Sequence, residues 1–267
     1  MNNNFIGVFD SGLGGLTVVK SLIETMPSEN IIYFGDIAHV PYGTRSREQI
    51  TEYVMQDVSF LQRFSIKAMV IACNTADSIA RKKVEESCSV PVFGVVEPAA
   101  RYAAETTKNN KIGVIATNAT VNSGAYKTAI EKYNPHAQVY AVACPLLVPL
   151  VEEGRFRQGD EVTERVVAEY LEPLKRAGID TLVLGCTHYP LLMDIIGDAV
   201  PGVNIINSGE TAARLVKTEL EAKGIENREN PSPVRRYFVN DSKDEFEKHA
   251  SLFMGRSLET AVEQVEV

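Results

Sequence analysis

Residues 180–190 read D-T-L-V-L-G-C-T-H-Y-P, an apolar run that leads into Cys186 and His188. The unbroken β-branched and leucine character of residues 181–184 is typical of a strand that is covered on both faces, as in a parallel sheet. Cys186 and His188 therefore follow the carboxyl end of a buried strand. In open α/β sheets the ligand sites lie at this end, so the segment is a candidate functional site.

The same pattern occurs once upstream and indicates an internal repeat. Residues 68–76 read A-M-V-I-A-C-N-T-A, again an apolar strand followed by a cysteine. Three short segments recur in the same order at offsets of 106, 108 and 113 positions: Ile6–Val8 at Ile112–Val114, Val40-Pro41 at Val148-Pro149, and Cys73 at Cys186. The repeat predicts two copies of one α/β unit.

Apolar strands alternate with amphipathic helices along the chain, which is typical of parallel sheets. We predict an α/β fold with two similar parallel-sheet α/β domains, related by pseudo-twofold symmetry, and an active site in the cleft between them. Residues 1–96 plus 210–267 are predicted as the first domain and residues 97–209 as the second. Helices are expected at 47–64, 76–87, 208–223 and 243–253, a strand at 235–239, and a frayed end up to Val267.

Composition excludes several classes of protein. The 267 residues carry a formal charge of -8 without a dense basic cluster, which argues against nucleic acid as a partner. The amino-terminal residues lack the features of a signal peptide and no apolar run is long enough to span a membrane, so we expect a cytoplasmic protein without a membrane partner. The four cysteines are expected to be reduced, and the dispersed histidines predict no metal site.

Cys73 and Cys186 are the first candidates for chemistry. Each ends a strand and is followed by residues that form hydrogen bonds, Asn74-Thr75 in one case and Thr187-His188 in the other. A thiol has a reference pKa of about 8.5, so its surroundings decide whether it is charged near neutral pH. Two thiols across a cleft would supply a base on one side and an acid on the other. Cys88 and Cys144 are instead expected to be small buried apolar groups.

The loop D-S-G-L-G-G-L-T, which begins at Asp10, lacks the G-x-G-x-x-G spacing of a dinucleotide site. Two interpretations stay open. Its glycines could let backbone N–H groups approach a small anion at a helix amino terminus, or the loop could be a tight turn that Asp10 caps.

Other polar side chains could support the cysteines. His188 could tune or relay the proton of Cys186, or simply be a hydrogen-bonded pocket residue. One of Glu152 and Glu153 could point inward, and the sequence does not separate them. Asp36 and His39 are expected to support the site from behind or to lie on the surface.

Four motifs, in order and with this spacing, closely resemble the glutamate racemase family of the cofactor-independent aspartate/glutamate racemase superfamily. They are D-S-G-L-G-G-L at 10–16, P-Y-G at 41–43, A-C-N-T-A at 72–76 and G-C-T-H-Y-P at 185–190. The resemblance implies a homodimer that supplies D-glutamate for peptidoglycan without a cofactor, and Cys73 and Cys186 as the acid–base pair. It also implies auxiliary roles for Asp10, Glu152 and His188, and substrate contacts at Asp10, Ser11, Tyr42, Gly43, Asn74, Thr75, Thr187 and His188.

Racemisation needs two groups because a proton removed from one face of the α-carbon must be replaced from the other face. A base must lie within hydrogen-bond reach of the proton that it takes, and two thiols on opposite walls satisfy this requirement. The resemblance implies that Cys73 deprotonates D-glutamate and Cys186 deprotonates L-glutamate. Alternatives are an aspartate racemase, a thiol hydrolase acting on a small amide, and a binding or regulatory module on the same fold.

Overall fold

The computed structural model describes residues 4–267, whose strands form two parallel β-sheets. The strands are β1 (Phe5–Asp10), β2 (Ile31–Gly35), β3 (Ile66–Ile71), β4 (Val92–Gly94), β5 (Lys111–Ala116), β6 (Gln138–Ala143), β7 (Thr181–Gly185), β8 (Asn204–Asn207), β9 (Arg235–Val239) and β10 (Val262–Gln264). Because β1, β3, β5 and β7 lie inside their sheets and are covered on both faces, their sequences are almost entirely apolar.

The order of the strands repeats between the two sheets. The first sheet has the order β10-β9-β2-β1-β3-β4 and the second has β6-β5-β7-β8, so β2-β1-β3-β4 corresponds to β6-β5-β7-β8. The predicted α/β fold with two similar parallel-sheet units is confirmed. Cys73 follows β3 and Cys186 follows β7, which are equivalent strands of the two units.

The helices are α1 (Leu16–Thr25), α2 (Arg47–Leu61), α3 (Asn74–Ser87), α4 (Val96–Thr106), α5 (Asn118–Ser123), α6 (Ala125–Tyr133), α7 (Leu147–Glu152), α8 (Glu161–Ala177), α9 (Met193–Ala199), α10 (Ser208–Lys223) and α11 (Lys243–Met254). Local sequence fixes several of their ends. Asp160 caps α8 by accepting a hydrogen bond from the backbone N–H of Thr163 at 3.0 Å, and Gly178 ends that helix with a φ of 70°. None of the helices among residues 4–267 is both long and apolar enough to cross a bilayer.

Strand register brings the functional segments to one edge of each sheet. In the first sheet Phe9 pairs with Ile71, and in the second sheet Ala116 pairs with Gly185. The residues that follow these pairs therefore emerge side by side at the carboxyl ends of the strands. This places the loop after β1 beside Cys73, and the loop after β5 beside Cys186.

The two segments that contain the predicted domain boundaries are helical. These segments, 96–104 and 207–213, lie largely in α4 and α10, and the two helices pack against each other. The strands of each sheet fall inside the predicted ranges, residues 1–96 plus 210–267 and residues 97–209. The domain boundaries themselves stay a prediction.

The prediction of a frayed carboxyl-terminal end is wrong. Residues Val262–Gln264 form β10, which pairs in parallel with β9 at the edge of the first sheet. Val262 is buried among the core side chains around Phe253, and the backbone N–H of Val265 donates a hydrogen bond to the carbonyl of Val239 at 2.8 Å. Apolar burial and ladder hydrogen bonds therefore order this charged segment.

Two predicted helix boundaries also shift. The helix expected at 47–64 ends at Leu61, and the helix expected at 76–87 begins at Asn74. The second shift matters for chemistry because it makes Cys73 the residue that precedes the first turn of α3. A thiolate at that position is stabilised by the positive end of the helix dipole.

Candidate active site

A small cavity of about 40 Å³ lies where the carboxyl ends of the two sheets meet. It is lined by residues of both units, including Cys73 after β3 and Cys186 after β7. The predicted site residues that line it are Ser11, Tyr42, Gly43, Cys73, Asn74, Thr75, Glu152, Cys186, Thr187 and His188. The structure therefore brings all the predicted residues except Asp10 to one cavity. No lysine or arginine of the described residues lines this cavity.

Cys73 is a buried residue that is 6% exposed. Its Sγ lies 3.5 Å from Oγ of Ser11. Burial and the negative charge of Asp10 raise the pKa of Cys73 to about 12, although hydrogen bonds from the α3 backbone and Ser11 oppose the shift. In the substrate-free protein Cys73 is therefore a protonated thiol at neutral pH, which is the form that can act as an acid.

Cys186 belongs to a chain of polar groups with His188 and Glu152. Its Sγ lies 3.9 Å from Nδ1 of His188, and Nε2 of the same ring lies 3.1 Å from Oε1 of Glu152. The His188 ring also makes an edge-to-face contact with the ring of Phe253, with 5.3 Å between the ring centroids. The histidine is therefore oriented by groups on both of its nitrogens.

His188 is positively charged at neutral pH. Burial lowers its pKa, but the interactions with Cys186 and Glu152 outweigh burial and raise it to about 10. The imidazolium therefore places a positive charge beside the Cys186 sulfur. Glu152 is the glutamate that contacts His188. Glu153 lies only beside a neighbouring cavity, so the geometry separates the two glutamates.

Asp10 lies behind the cavity rather than in its wall and is completely buried. Its carboxylate accepts hydrogen bonds from the backbone N–H groups of Gly12 at 3.0 Å and Gly15 at 2.9 Å. It also accepts one from the Thr187 hydroxyl at 3.5 Å. The tight turn is thus the correct interpretation of this loop, and the external-anion interpretation is wrong for these two N–H groups because Asp10 already occupies them.

Two further threonines line or support the cavity and were not predicted. The hydroxyl of Thr75 lies 2.9 Å from that of Thr117 and 3.1 Å from that of Thr120. The Thr117 and Thr120 hydroxyls are 3.0 Å apart, so three donors from two units meet at one point. The repeat could have identified Thr117, because it lies 106 positions after Ser11, the offset that relates β1 to β5. No sequence signal pointed to Thr120.

Asn74 and Gly43 are held in place by residues of the second unit and its flanking helix. The Tyr126 hydroxyl donates to Oδ1 of Asn74 at 2.6 Å, and Nδ2 of Asn74 donates to Ser208 at 3.3 Å. A side chain at Gly43 would bring its Cβ to 2.9 Å from Cβ of Thr117. Glycine at this position therefore lets the two units approach closely across the cavity.

Asp36 is more deeply placed than we expected. It is completely buried, so the interpretation as a surface group is wrong for this residue. The Tyr42 hydroxyl donates a hydrogen bond to Asp36, and His39 Nδ1 lies 2.7 Å from Oδ1 of the same carboxylate. His39 is partly exposed and stacks on Tyr53 with 3.8 Å between the ring centroids. These residues support the segment that carries Tyr42 and Gly43.

Comparison with known proteins agrees with this architecture. The sequence profile of the Asp/Glu/hydantoin racemase family matches residues 6–216. A glutamate racemase of Neisseria meningitidis is 50% identical over 255 residues, which cover 95% of this chain and 94% of that protein.

Solved structures show the same similarity. Glutamate racemase isoform RacE1 from Bacillus anthracis superposes with a TM-score of 0.94 at 40% identity and covers 100% of this chain and 99% of its own. Glutamate racemase from Francisella tularensis, solved in complex with D-glutamate, superposes with a TM-score of 0.92 at 38% identity and covers 100% and 98% of the two chains.

The two-unit fold and these matches define the class of the protein as an amino-acid racemase, which is an isomerase. More particularly, the chain belongs to the Asp/Glu/hydantoin racemase family, and the sequence resemblance to its glutamate racemases is confirmed.

Proposed function

We propose that this protein interconverts L- and D-glutamate by a two-base proton transfer between Cys73 and Cys186. The observation that carries the proposal is that two thiols, from equivalent positions of two sheets, line one buried cavity. Each is placed with a different neighbour: Cys73 contacts Ser11, and Cys186 contacts the His188 imidazolium. The pair supplies one acid and one base, which is what inversion at a carbon requires.

For L-glutamate, the Cys186 thiolate takes the α-proton and forms an S–H bond, and the electron pair of the broken C–H bond stays on the α-carbon. The Cys73 thiol then gives its proton to the opposite face of that carbon, which leaves Cys73 as a thiolate. For D-glutamate the two roles are reversed. This assignment of the enantiomers follows the family resemblance, and a protonated Cys73 in the free protein supplies the acid that the L-to-D direction needs.

The developing carbanion needs donors that are already oriented. Asn74, Thr75 and Thr187 line the cavity, and Asn74 and Thr75 are fixed by the hydrogen bonds described above. In a buried cavity, such preorganised donors stabilise the negative charge that spreads onto the α-carboxylate. We propose that the hydroxyl cluster of Thr75, Thr117 and Thr120 turns toward a substrate carboxylate, and that Asp10, Glu152 and His188 have auxiliary roles.

Glutamate is supported as the substrate by the named relatives and by the D-glutamate complex of the Francisella tularensis protein. Substrate contacts are proposed at Ser11, Tyr42, Gly43, Asn74, Thr75, Thr187 and His188, which line the cavity, and at Asp10, which reaches it through Thr187. The reaction as written uses no cofactor and no metal. We also propose that the protein is a cytoplasmic homodimer without nucleic-acid or membrane partners that supplies D-glutamate for peptidoglycan.

The function is tested by incubating metal-free and pyridoxal-free protein with L-glutamate in D₂O and measuring chirality and α-deuterium. We expect D-glutamate that carries deuterium at the α-carbon, because the proton returned to the opposite face comes from a thiol that exchanges with solvent. Racemisation of L-aspartate with no change in glutamate would contradict the substrate. Failure of both amino acids to react would favour a binding or hydrolytic role.

The charge of His188 predicts a pH dependence of stability. Its pKa is raised from 6.5 in the unfolded chain to about 10 in the folded protein. The stabilisation from protonated His188 is therefore complete below about pH 6.5 and is lost as the pH rises through about 10. We expect the free energy of unfolding, measured with urea, to fall between these values.

Other groups also titrate in this range, so a variant isolates the contribution of His188. In His188→Gln the decrease of unfolding free energy between pH 6.5 and 10 should be smaller than in the wild type. An equal decrease in both proteins would show that His188 is not charged in the folded state at neutral pH.

A further inference from the structure

Two buried carboxyl groups meet at a single hydroxyl beneath the wall of the cavity. The Tyr42 hydroxyl donates to Oδ2 of Asp36 and also lies 3.2 Å from Oδ2 of Asp57. Asp36, Asp57 and Tyr42 are each at most 2% exposed. A phenol has one proton to donate, so it cannot satisfy two carboxylates at once. The geometry therefore requires one further proton in this cluster.

The surroundings decide which carboxyl group holds that proton. Asp36 accepts a hydrogen bond from Nδ2 of Asn240 at 2.5 Å, and both of its oxygens lie within 3.0 Å of His39 Nδ1. The Asp36 oxygens therefore accept a hydrogen bond from Asn240 as well as one from the Tyr42 phenol. The Asp57 carboxyl group, on α2, faces the phenol and the negative charges of Asp36 and Asp10. Burial and these charges raise the pKa of Asp57 well above its usual range, although the bond to Tyr42 opposes the shift.

We propose that Asp57 is a positioning residue, held as a neutral carboxylic acid, that donates its proton to the Tyr42 hydroxyl and so fixes the Tyr42–Gly43 wall of the substrate cavity. The hydrogen bonds then run in one direction, from Asp57 to Tyr42 and from Tyr42 to the Asp36 carboxylate. The phenol then donates one hydrogen bond and accepts one, and the cluster holds no second buried charge.

The position of the Asp57–Tyr42–Asp36 hydrogen bonds links them to the reaction. Tyr42 and Gly43 share the cavity wall with Cys73, and Gly43 lies against Thr117 of the other unit. Loss of the hydrogen bond from Asp57 would let the Tyr42–Gly43 wall move relative to Sγ of Cys73. An ionised Asp57 would also add a negative charge beneath a site for an anionic substrate. The expected effect of Asp57 on substrate binding rests on the proposed function, whereas the protonation state of Asp57 does not.

The protonation state is measured first, in the substrate-free protein at neutral pH. We expect the infrared spectrum of the wild type to contain a carbonyl band of a protonated carboxylic acid that is absent from Asp57→Asn. The difference between the two spectra isolates Asp57 from other buried acids, such as Asp10. The exposed Asp194→Asn variant is the control and should leave the band unchanged. A spectrum in which Asp57→Asn removes only a carboxylate band would overturn the proposal, whatever the protein does with glutamate.

Kinetics then test the positioning role. Asp57→Asn keeps a neutral side chain that can donate to Tyr42, so its KM and kcat for glutamate should stay close to those of the wild type. Asp57→Leu removes the donor and should raise KM by about tenfold, the equivalent of one hydrogen bond to a buried group, with a smaller change in kcat.

Comparison of Asp57→Asn with Asp36→Asn tests the proposal even if Asp57→Leu does not fold. Asparagine should be tolerated at position 57 but not at position 36, because only Asp36 is the charged member of the chain. Asp36→Asn should therefore raise KM by about tenfold. The reverse ranking, or an equal loss in Asp57→Asn and Asp36→Asn, would show that Asp57 acts as an ion and that the proposal is wrong.

Discussion

Alanine at either Cys73 or Cys186 is expected to lower the rate of glutamate racemisation by at least about a hundredfold, since a positioned acid or base contributes about 10²- to 10⁴-fold. Each variant keeps one thiol, which can remove a proton from one face but has no partner to supply a proton to the other. Folding should be preserved, because alanine removes a single buried sulfur without adding volume. Racemisation is followed by the loss of optical rotation from either enantiomer.

Steady-state racemisation does not reveal which cysteine serves which enantiomer. L- and D-glutamate have equal free energies in water, so their equilibrium constant is unity. The ratio kcat/KM must therefore be the same in both directions for every variant, however asymmetric the site is. A one-sided reaction is needed to assign the two thiols.

Elimination from 3-chloroglutamate is such a reaction. A thiolate removes the α-proton, the C–Cl bond breaks, and chloride leaves with the bonding electrons. The resulting enamine hydrolyses to a 2-oxo acid and ammonium, so no proton needs to return to the opposite face. The Cys73→Ala variant should eliminate chloride from the L-enantiomer only, and Cys186→Ala from the D-enantiomer only.

A matched control is available in Cys88, which is partly exposed rather than buried as we expected, and which does not line the cavity. Its alanine variant should racemise glutamate and eliminate chloride from both enantiomers like the wild type. Wild-type racemisation by Cys73→Ala or Cys186→Ala would disprove the two-base assignment. Elimination with the opposite enantiomeric preference would preserve the two bases but reverse their assignment.

The internal repeat predicted the two cysteines from the sequence, whereas most of the other site residues came from the resemblance to the glutamate racemases. Equivalent parallel strands place their carboxyl ends in equivalent positions, so a cysteine after each strand implies two thiols at one cleft. The offset of 106 positions between β1 and β5 also relates Ser11 to Thr117, which lines the cavity. Local chain order, strand periodicity and this symmetry were sufficient for the two cysteines, although Thr117 itself was not predicted.

Other parts of the site depend on contacts that no local pattern encodes. Asp57 looks like a polar residue of an amphipathic helix, and only the packing of α2 places its carboxyl group against Tyr42. Glu152 and Glu153 are adjacent, and the last turn of α7 decides which one reaches His188. Strand β10 was missed because its charged sequence resembles a disordered end, although the edge of a sheet was available to pair with it.

Alanine at Gly14 is expected to have the second large effect. A Cβ atom there would lie 2.2 Å from Oγ1 of Thr187 and 2.6 Å from Nδ1 of His188. Neither neighbour can easily move, because the Thr187 carbonyl accepts a hydrogen bond from Thr17 at 3.0 Å and His188 is held by Glu152. We expect kcat/KM for glutamate to fall by about a hundredfold, the effect of displacing a functional group by about 1 Å.

The overpacked site should cost about 1–3 kcal/mol of unfolding free energy, which leaves a folded protein to study. Displacement of the His188 ring should also weaken its contacts with Cys186 and Glu152. The pKa of His188, measured by NMR titration, should therefore fall from about 10 toward 6.5. Gly197→Ala is the matched control, because the nearest atom to its added Cβ is 3.9 Å away and the residue lies within α9. That variant should keep wild-type activity and gain about 0.5–1 kcal/mol in stability. Normal kcat/KM in Gly14→Ala, together with an unchanged pKa of His188, would show that the loop after β1 does not fix the Thr187–His188 segment.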